Sequence, residues 1–462
     1  MSGLNDIVKA YDIRGTVPDQ LNEQVARAIG TAFIQMLREA GDAAGTIVVA
    51  YDMRESSPGL AAAFTEGARA AGAGVIDAGL GSTDLLYYAA GSLDLPGAMF
   101  TASHNPAEYN GIKLCRAGAR PIGQDTGLAR IRELASGLLA GSIPAPTPAG
   151  TESGIIRRDI LADYAAHLRT LVDLSGIRPL TVVVDAGNGM AGHTVPAVLG
   201  DAKLPPLPLT IVPLYFELDG TFPNHEANPL KPENLVDLQQ AVRERGADLG
   251  LAFDGDADRC FVVDERGEPV SASAITALVA TRELAKHPGA TIIHNLIVSA
   301  AVPEIVTEHG GTPVRSRVGH SFIKDQMAKT GAVFGGEHSA HYYFRDFWYA
   351  DTGMLAAMHV LAALGEQDRP LSELVAKYQR YVASGEINSR VSDQTEAIKR
   401  VADAYASEEL DYTDGLTVRF GDRAWFNLRP SNTEPLLRLN VEAATGERMA
   451  EVRDAVLAMI RD

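Results

Sequence analysis

Short apolar runs typical of buried strands alternate with longer segments typical of helices, and this alternation occurs three times along the chain. A strand, a helix and a second strand in succession imply a parallel crossover, because the helix packs against two neighbouring parallel strands. A further helix is predicted over 22–40, before the first copy. The predicted elements lie at 46–50, 59–71 and 74–78 in the first copy, from 180–185 onward in the second, and at 291–295, 300–309 and 313–316 in the third.

The pattern changes after residue 370. Strand-like segments followed by one closing helix indicate an α+β unit there, with strands at 415–420, 424–428 and 436–441 and the helix at 447–461. A proline-rich stretch at 142–148 separates the first two copies. The sequence therefore predicts an α/β fold, with three similar α/β domains of mixed sheets and a C-terminal α+β domain. The predicted domain limits are 1–148, 149–268, 269–370 and 371–462.

The segment TASHNPAEYNGIKL carries the first candidate chemistry. It follows a predicted buried strand, and its Asn-Pro step marks a turn that presents Ser103 beside His104. Asn110 and Gly111 predict a tight reversal into a second extended segment. A serine hydroxyl beside a histidine and a lysine, here Lys113, is a candidate nucleophile. The alternative is a surface turn whose polar side chains satisfy backbone groups, which is the commoner case for an isolated Ser-His pair.

An acidic loop follows the strand predicted at the start of LGLAFDGDADRCFVVDE. Asp254, Asp256 and Asp258 lie so close together that they repel each other unless a cation neutralises them, and such hard oxygen ligands suit Mg²⁺ or Ca²⁺. A calcium-binding EF-hand does not fit, because Arg259 occupies the position of its glycine and strands flank the loop. A phosphatase with an aspartate nucleophile and a solvated acidic loop are the alternatives.

Two further loops carry polar groups that suit a sugar phosphate. In GGEHSAHYYF, the alternation of Glu337, Ser339 and His341 along an extended segment places them on one face, where they suit hydrogen bonds to sugar hydroxyls. An ordinary edge strand is the alternative. In RPSNTEP, a guanidinium and three neighbouring donors form a candidate phosphate cradle, namely Arg429, Ser431, Asn432 and Thr433. The same residues fit a capped helix start, which is compatible with anion binding.

Composition narrows the class of partner. The formal charge of −18 over 462 residues argues against nucleic acid or an anionic membrane surface. Any phosphate must then be held by local basic residues, for which the candidates are Arg14, Lys113, Arg259, Lys324 and Arg429. Cys115 and Cys260 lie in apolar strands and do not suggest a disulfide framework. The absence of a signal-like N-terminus and of an apolar run of about 18 residues makes the cytoplasm the expected location.

Five motifs in order, KAYDIRG, TASHNP, DGDADR, GEHSAH and RPSNTEP, resemble those of the α-D-phosphohexomutases. The opening motif looks like that of the phosphomannomutase/phosphoglucomutase branch. Phosphoglucosamine mutases, which usually carry glycine at the position of Asn432, are the nearest alternative, and a metal-dependent sugar phosphatase is a more distant one. The resemblance implies four domains around a central cleft, with one key loop from each. It also implies one Mg²⁺ per chain, a monomer or dimer, and interconversion of hexose 6-phosphate and hexose 1-phosphate for mannose and glucose.

The same resemblance assigns roles to residues. Ser103 would carry a phosphoryl group, form hexose 1,6-bisphosphate as the intermediate, and hold Mg²⁺ together with Asp254, Asp256 and Asp258. The other catalytic candidates are His104, Lys113, Arg259 and His320. Substrate contacts are expected from Tyr11, Arg14, Lys324, Glu337, Ser339, His341, Arg429, Ser431, Asn432 and Thr433. Some family members carry a basic residue where this chain has Ile297, so proton transfer is not expected at that position.

Overall fold

A computed structural model describes residues 3–42, 44–144, 154–430 and 436–461. Within these residues the strands form four sheets that follow one another along the chain. Three of the sheets are mixed and the fourth is antiparallel, so the predicted fold class is confirmed. The domain limits at residues 148, 268 and 370 stay a prediction.

The first sheet has the order β1-β5-β4-β2-β3-β7, with β6 paired to β5. Its strands are β1 Ile13–Thr16, β2 Thr46–Tyr51, β3 Gly74–Leu80, β4 Gly97–Phe100, β5 Tyr109–Arg116, β6 Arg120–Pro121 and β7 Ile155–Arg157. Its helices are α1 Leu4–Ile7, α2 Glu23–Glu39, α3 Ser57–Ala70, α4 Thr83–Ser92 and α5 Leu128–Leu139. The side chain of Asn22 caps α2 by accepting a hydrogen bond from the backbone of Val25, which explains why the helix begins there.

The second sheet has the order β12-β11-β10-β8-β9. Its strands are β8 Leu180–Asp185, β9 Leu209–Leu214, β10 Leu249–Phe253, β11 Cys260–Asp264 and β12 Pro269–Val270, and its helices are α6 Leu161–Leu171, α7 Ala191–Val198 and α8 Val236–Arg245. The left-handed backbone at Gly246, with φ of 56°, ends α8. Cys260 and Cys115 are both buried free thiols, as expected.

The third sheet has the order β14-β13-β15-β16-β17. Its strands are β13 Thr291–Asn295, β14 Thr312–Ser316, β15 Phe334–Gly336, β16 Tyr342–Phe344 and β17 Ala350–Asp351. The helices around it are α9 Ala272–Lys286, α10 Ala301–Glu308, α11 His320–Thr330, α12 Gly353–Gly365 and α13 Leu371–Ala376.

One arrangement is repeated in these three sheets. A central strand, which is β2, β8 or β13, has a parallel neighbour on each side. One of those neighbours continues through a loop into an antiparallel strand, in the pairs β4–β5, β10–β11 and β15–β16. The repeat therefore gives each sheet a polar loop at an equivalent position, and these loops hold Ser103, the three aspartates and Glu337.

The fourth sheet is antiparallel throughout, with the order β18-β22-β21-β20-β19. It consists of β18 Val382–Arg390, β19 Glu409–Asp411, β20 Leu416–Arg419, β21 Trp425–Pro430 and β22 Leu436–Ala443, with α14 Gln394–Ala404 and α15 Gly446–Arg461 against it. Its own apolar core includes Phe426 and Val456. Leu296 and Ile297 of the third unit pack against its Trp425.

The first three units share one continuous apolar core, which runs from α4 through α6 to α12. A buried carboxylate, Asp84 on α4, lies at this junction. It accepts hydrogen bonds from the hydroxyls of Tyr164 on α6 and Thr352 before α12, both at 2.7 Å, and from Ser82. Burial raises the pKa of Asp84 to about 6. None of the described helices combines the length and apolarity that a membrane span requires.

Candidate active site

Ser103 lies on the loop between β4 and β5. Its backbone is in the left-handed region, with φ of 52°, and its N–H donates to Thr101 Oγ1 at 2.9 Å. The predicted reversal at Asn110 and Gly111 is wrong, because both residues lie inside β5 and pair with β1. Gly111 serves close packing instead, since a Cβ there would lie 2.5 Å from the carbonyl oxygen of Ile13.

The Ser103 hydroxyl contacts the acidic loop of the second unit. It donates to Asp254 Oδ2 at 2.7 Å, and its oxygen lies 3.2 Å from His104 Nδ1. Arg259 also donates to Asp254 Oδ2, at 2.9 Å, and to the ring of His104. Burial, followed by the charge of Arg259, holds the pKa of His104 well below its usual range, so this imidazole is neutral.

Protein cations neutralise part of the aspartate cluster, which the sequence analysis did not foresee. Lys113 Nζ lies 2.7 Å from Asp256 Oδ2 and 2.6 Å from Asp258 Oδ2. Burial lowers the pKa of Lys113, but the two carboxylates outweigh burial and raise this pKa well above its usual value. Burial raises the pKa of Asp254 to about 7, against the effect of Arg259. Three carboxylates thus face two cations.

The three aspartates fit a divalent cation. Their carboxylate oxygens lie within 4.8 Å of one another, and all three side chains are buried. Asp256 Oδ1 and Asp258 Oδ1 have no hydrogen-bond partner among the described residues, which leaves lone pairs free for a metal. Gly255 brings this loop against the first unit, since a Cβ there would lie 2.4 Å from the carbonyl oxygen of Ser103. The metal-ligand set and the serine are therefore adjacent.

The third loop is a tight turn and not the extended segment that was expected. The backbone N–H of Glu337 donates to His341 O at 3.0 Å, and that of Ala340 donates to Glu337 O at 3.1 Å. The turn, and not alternation along a strand, brings the three polar residues together: Ser339 Oγ lies 2.9 Å from His341 Nδ1. The backbone of His341 also forms an isolated antiparallel β-bridge with that of Arg259, which joins this loop to the acidic loop.

The Glu337 carboxylate is 2% exposed and its orientation is set by three donors. Tyr343 O–H donates to Oε2 at 2.6 Å, while Asn295 Nδ2 and the backbone N–H of Gly319 donate to Oε1 at 3.3 and 3.2 Å. A carboxylate has about four acceptor positions, so at least one remains for a ligand.

A cavity of about 1100 Å³ lies between the first and third units and the acidic loop. The predicted site residues that line it are Tyr11, Arg14, Ser103, His104, Lys113, Asp258, His320 and His341. The His320 ring packs edge-on against Tyr11, and burial, with nearby Lys324, lowers the pKa of His320 to about 3. The remaining described site residues, Asp254, Asp256, Arg259, Lys324, Glu337, Ser339 and Arg429, are not part of its lining.

The predicted basic residues are each paired with a carboxylate. Arg14 donates to Asp12 and to Asn105 Oδ1, and Lys324 lies 2.6 Å from Asp351. Arg429 belongs to the fourth sheet, where it donates to Glu386 Oε2 at 2.6 Å. Ser431, Asn432 and Thr433, with the alternative of a capped helix, lie outside the described residues, and a strand, β22, follows them.

Three residues at this site were missed by the sequence analysis. Thr83 donates to Asp256 Oδ2 at 2.6 Å, Asp351 pairs with Lys324, and the Arg54 guanidinium donates to the carbonyl oxygen of Ser103. Arg54 follows a predicted strand within the polar run Asp52–Ser57, and this position was its only local signal. Its contacts join residues about 50 positions apart, which a local pattern does not reveal.

Comparisons with known proteins agree with this architecture. The four domain descriptions of the phosphoglucomutase/phosphomannomutase family match residues 5–137 (alpha/beta/alpha domain I), 162–267 (domain II), 271–381 (domain III) and 386–459 (C-terminal domain). A Xanthomonas campestris protein named phosphohexose mutases is 45% identical over 450 residues, covering 96% of each chain. A phosphomannomutase from Escherichia coli is 43% identical over 456 residues, covering 97% of each.

A solved structure supports the same assignment. A phosphoglucomutase/phosphomannomutase family protein from Burkholderia thailandensis is 32% identical, with a TM-score of 0.85 over 99% of this chain and 97% of that one. Fold, loops and relatives together define a mutase, an enzyme of the isomerase class. The chain belongs to the phosphoglucomutase/phosphomannomutase family, within the α-D-phosphohexomutases.

Proposed function

We propose that the chain interconverts hexose 6-phosphate and hexose 1-phosphate, with mannose and glucose as the sugars, through a phosphoserine at Ser103. The observation that carries this proposal is the contact of the Ser103 hydroxyl, at 2.7 Å, with Asp254 of a buried three-carboxylate cluster beside a large cavity. A serine in this position is adjacent to the charges that would stabilise its phosphoryl group.

The reaction takes two phosphoryl transfers. In the first, the bond between phosphorus and Ser103 Oγ breaks while a sugar hydroxyl oxygen bonds to that phosphorus, and the hydroxyl proton passes to a base. The freed Ser103 Oγ takes up a proton, and the resulting hexose 1,6-bisphosphate reorients in the cavity. In the second transfer, Ser103 Oγ loses its proton and bonds to the other phosphorus. The bond between that phosphorus and its sugar oxygen breaks, and the sugar oxygen takes up a proton. Lys113 is protonated and suits electrostatic stabilisation. The pKa values of His104 and His320 are lowered, so both imidazoles are neutral but weak bases. Lys113, His104 and His320 stay the candidates for proton transfer.

Mg²⁺ suits the acidic loop as cofactor. Asp254, Asp256 and Asp258 would bind it together with an oxygen on Ser103, and the free oxygens of Asp256 and Asp258 support this assignment. The bound ion would supply positive charge next to the transferred phosphoryl group. Arg259 orients the Asp254 carboxylate, because its backbone N–H donates to Oδ1 and its Nε donates to Oδ2.

The substrate contacts follow from the cavity and the remaining loops. Tyr11 and Arg14 line the cavity and would meet one end of the substrate. Glu337, Ser339 and His341 would bind sugar hydroxyls, and Lys324 supports this region through Asp351. Arg429, with Ser431, Asn432 and Thr433, would bind the phosphate that does not react. Monomer or dimer and a cytoplasmic location stay predictions.

Selectivity between mannose and glucose should be weak. The two sugars differ only at carbon 2, and the bisphosphate must bind in two orientations, which disfavours a tight pocket at that carbon. We expect specificity constants within about a hundredfold of each other, or about 3 kcal/mol. Assays with mannose, glucose and glucosamine 1-phosphates test this and separate the phosphoglucosamine mutase alternative.

Mass spectrometry of Ser103 tests the mechanism. Incubation with hexose 1,6-bisphosphate should leave a phosphoryl group on Ser103, and Ser103→Ala should lose most mutase activity while still binding hexose phosphate. Ser136→Ala, at an exposed position of α5, is the matched control and should keep full activity. Phosphate on an aspartate with net hydrolysis would support the phosphatase alternative, and near-normal turnover of Ser103→Ala would refute the serine mechanism.

A further inference from the structure

Arg54 follows β2 and lies beneath the loop that carries Ser103. Its side chain is 1% exposed, yet its guanidinium makes four hydrogen bonds to backbone carbonyl oxygens. The acceptors span the turn between β4 and β5: Ser103 at 3.0 Å, Asn105 at 2.7 Å, Pro106 at 2.8 Å and Tyr109 at 2.9 Å. One side chain therefore donates to four carbonyls of this turn.

Arg54 is itself held by neighbours from two units. Its Nε lies 3.3 Å from Asp52 Oδ2, and its backbone N–H donates to Asp52 Oδ1 at 3.0 Å. The ring of Phe222, from a loop of the second unit, covers the guanidinium at 5.1 Å. That loop approaches so closely that a Cβ on Gly220 would lie 2.6 Å from Arg54 Cα. The guanidinium thus has little freedom to move.

The same turn must keep a strained geometry. Ser103 has a positive φ, which costs a non-glycine residue free energy, and its carbonyl oxygen lies against Gly255 of the acidic loop. The two partners of that oxygen, Gly255 and Arg54, fix where it can lie. Since the hydroxyl that donates to Asp254 belongs to the same residue, a shift of this carbonyl would also move the hydroxyl.

We propose that Arg54 is a positioning residue for phosphoryl transfer, which orients Ser103 toward the substrate by fixing the carbonyls of its turn. This inference rests on the proposed phosphoserine mechanism. The planar guanidinium offers five N–H donors in a fixed geometry, whereas a lysine ammonium offers three donors from a single atom. Arg54→Lys therefore keeps the positive charge and removes the geometry, so it separates positioning from electrostatics.

The chain offers a matched control in Arg169 on α6. Its guanidinium also donates to three backbone carbonyls, those of Val198 at 2.8 Å, Gly200 at 2.7 Å and Pro205 at 2.5 Å, in the second unit. These acceptors carry none of the proposed catalytic or substrate groups. Arg169→Lys thus measures what the loss of such carbonyl contacts does to the fold alone.

The test compares the two variants as full-length protein. Arg54→Lys should lower kcat, and the rate at which hexose 1,6-bisphosphate phosphorylates Ser103, by about a hundredfold, as a displacement near 1 Å of a reacting group does. Its KM for hexose phosphate and its half-saturating Mg²⁺ concentration should stay within about twofold of the wild-type values. Arg169→Lys should keep the wild-type rates per folded molecule, even where its melting temperature falls.

Several outcomes would overturn the inference. Arg54 is not a positioning residue if Ser103 is phosphorylated as fast in Arg54→Lys as in Arg169→Lys. The same holds if KM and the half-saturating Mg²⁺ concentration rise by as large a factor as kcat falls. If Arg54→Lys does not fold, Phe222→Leu serves as the second variant, because it removes the ring that covers the guanidinium and leaves Arg54 itself unchanged. Phe222→Leu should slow phosphorylation of Ser103 several-fold. An unchanged rate in this variant would refute the proposed role of Arg54. A wild-type chain that takes no phosphate on Ser103 would instead refute the proposed function.

Discussion

Two adjacent tyrosines on β16 allow a single hydroxyl to be tested against an internal control. Both are fully buried and both have their pKa raised well above the usual value by burial, so both are neutral phenols. Tyr343 O–H donates to Glu337 Oε2 at 2.6 Å. Tyr342 O–H has no hydrogen-bond partner among the described residues. Tyr343→Phe and Tyr342→Phe each remove one oxygen and keep the ring.

The expected difference follows from these partners. A hydrogen bond to a charged acceptor contributes about 1.5–3 kcal/mol. Tyr343 donates to Glu337 Oε2, whereas His341 Nδ1, at 3.7 Å from the same oxygen, is too far away to form a hydrogen bond. Asn295 and Gly319 still bind Oε1, so we expect Tyr343→Phe to destabilise the fold by about 2 kcal/mol. Tyr342→Phe removes an unpaired buried hydroxyl and should be neutral, or stabilising by about 1 kcal/mol.

Thermal unfolding and steady-state kinetics measure the two consequences. Tyr343→Phe should melt about 5 °C below Tyr342→Phe. If Glu337 binds the sugar as proposed, Tyr343→Phe should also raise KM for both hexose phosphates about tenfold, which is 1.4 kcal/mol. Equal melting temperatures and equal KM values for the two variants would refute the reasoning, because they would mean that the contact with Glu337 contributes nothing.

Three further predictions concern the acidic loop and the junction of the units. Gly255→Ala should lose about 1–3 kcal/mol of stability and most activity, because its Cβ would overlap the Ser103 carbonyl; unchanged unfolding and turnover would contradict this. Asp256→Asn should raise the half-saturating Mg²⁺ concentration and destabilise the metal-free chain by about 2 kcal/mol, since Lys113 keeps only Asp258; a metal-free chain of wild-type stability would contradict it. The pKa of Asp84 is raised from 3.8 to about 6 in the folded state, so the free energy of unfolding should fall by up to about 3 kcal/mol as pH rises from 4 to 7. Asp84→Asn should therefore show a smaller change of melting temperature over this pH range.

Local sequence was sufficient where the physical cause is itself local. Apolar runs predict strands because a buried strand needs them, and β8 and β13 have the bounds that their runs suggest. The polar residues that directly follow such strands, including Ser103 and the aspartates, were identified for the same reason. Three copies of one strand–helix pattern indicated three similar sheets, and the sheets share one arrangement of four strands, to which each adds further edge strands.

Tertiary structure decided which charges meet. Lys113 and Asp256 are 143 residues apart, and only the docking of two units makes them an ion pair. The sequence therefore suggested an aspartate cluster that needs a metal for neutralisation, whereas Lys113 and Arg259 neutralise part of it. Packing also overrode local turn preference at Gly111, where the close approach of Ile13 places an Asn-Gly step inside a strand.

Buried charged residues that join distant segments were the least accessible from sequence. Arg54 and Asp84 act through hydrogen bonds to segments far along the chain, and nothing in their immediate neighbours distinguishes them from surface charges. Four carbonyls of the Ser103 turn accept hydrogen bonds from Arg54, and hydroxyls from three units donate to Asp84. These contacts offset the cost of removing a charge from water. The chemistry of this protein was therefore visible in its local motifs, while its geometry was set by contacts that only the assembled units create.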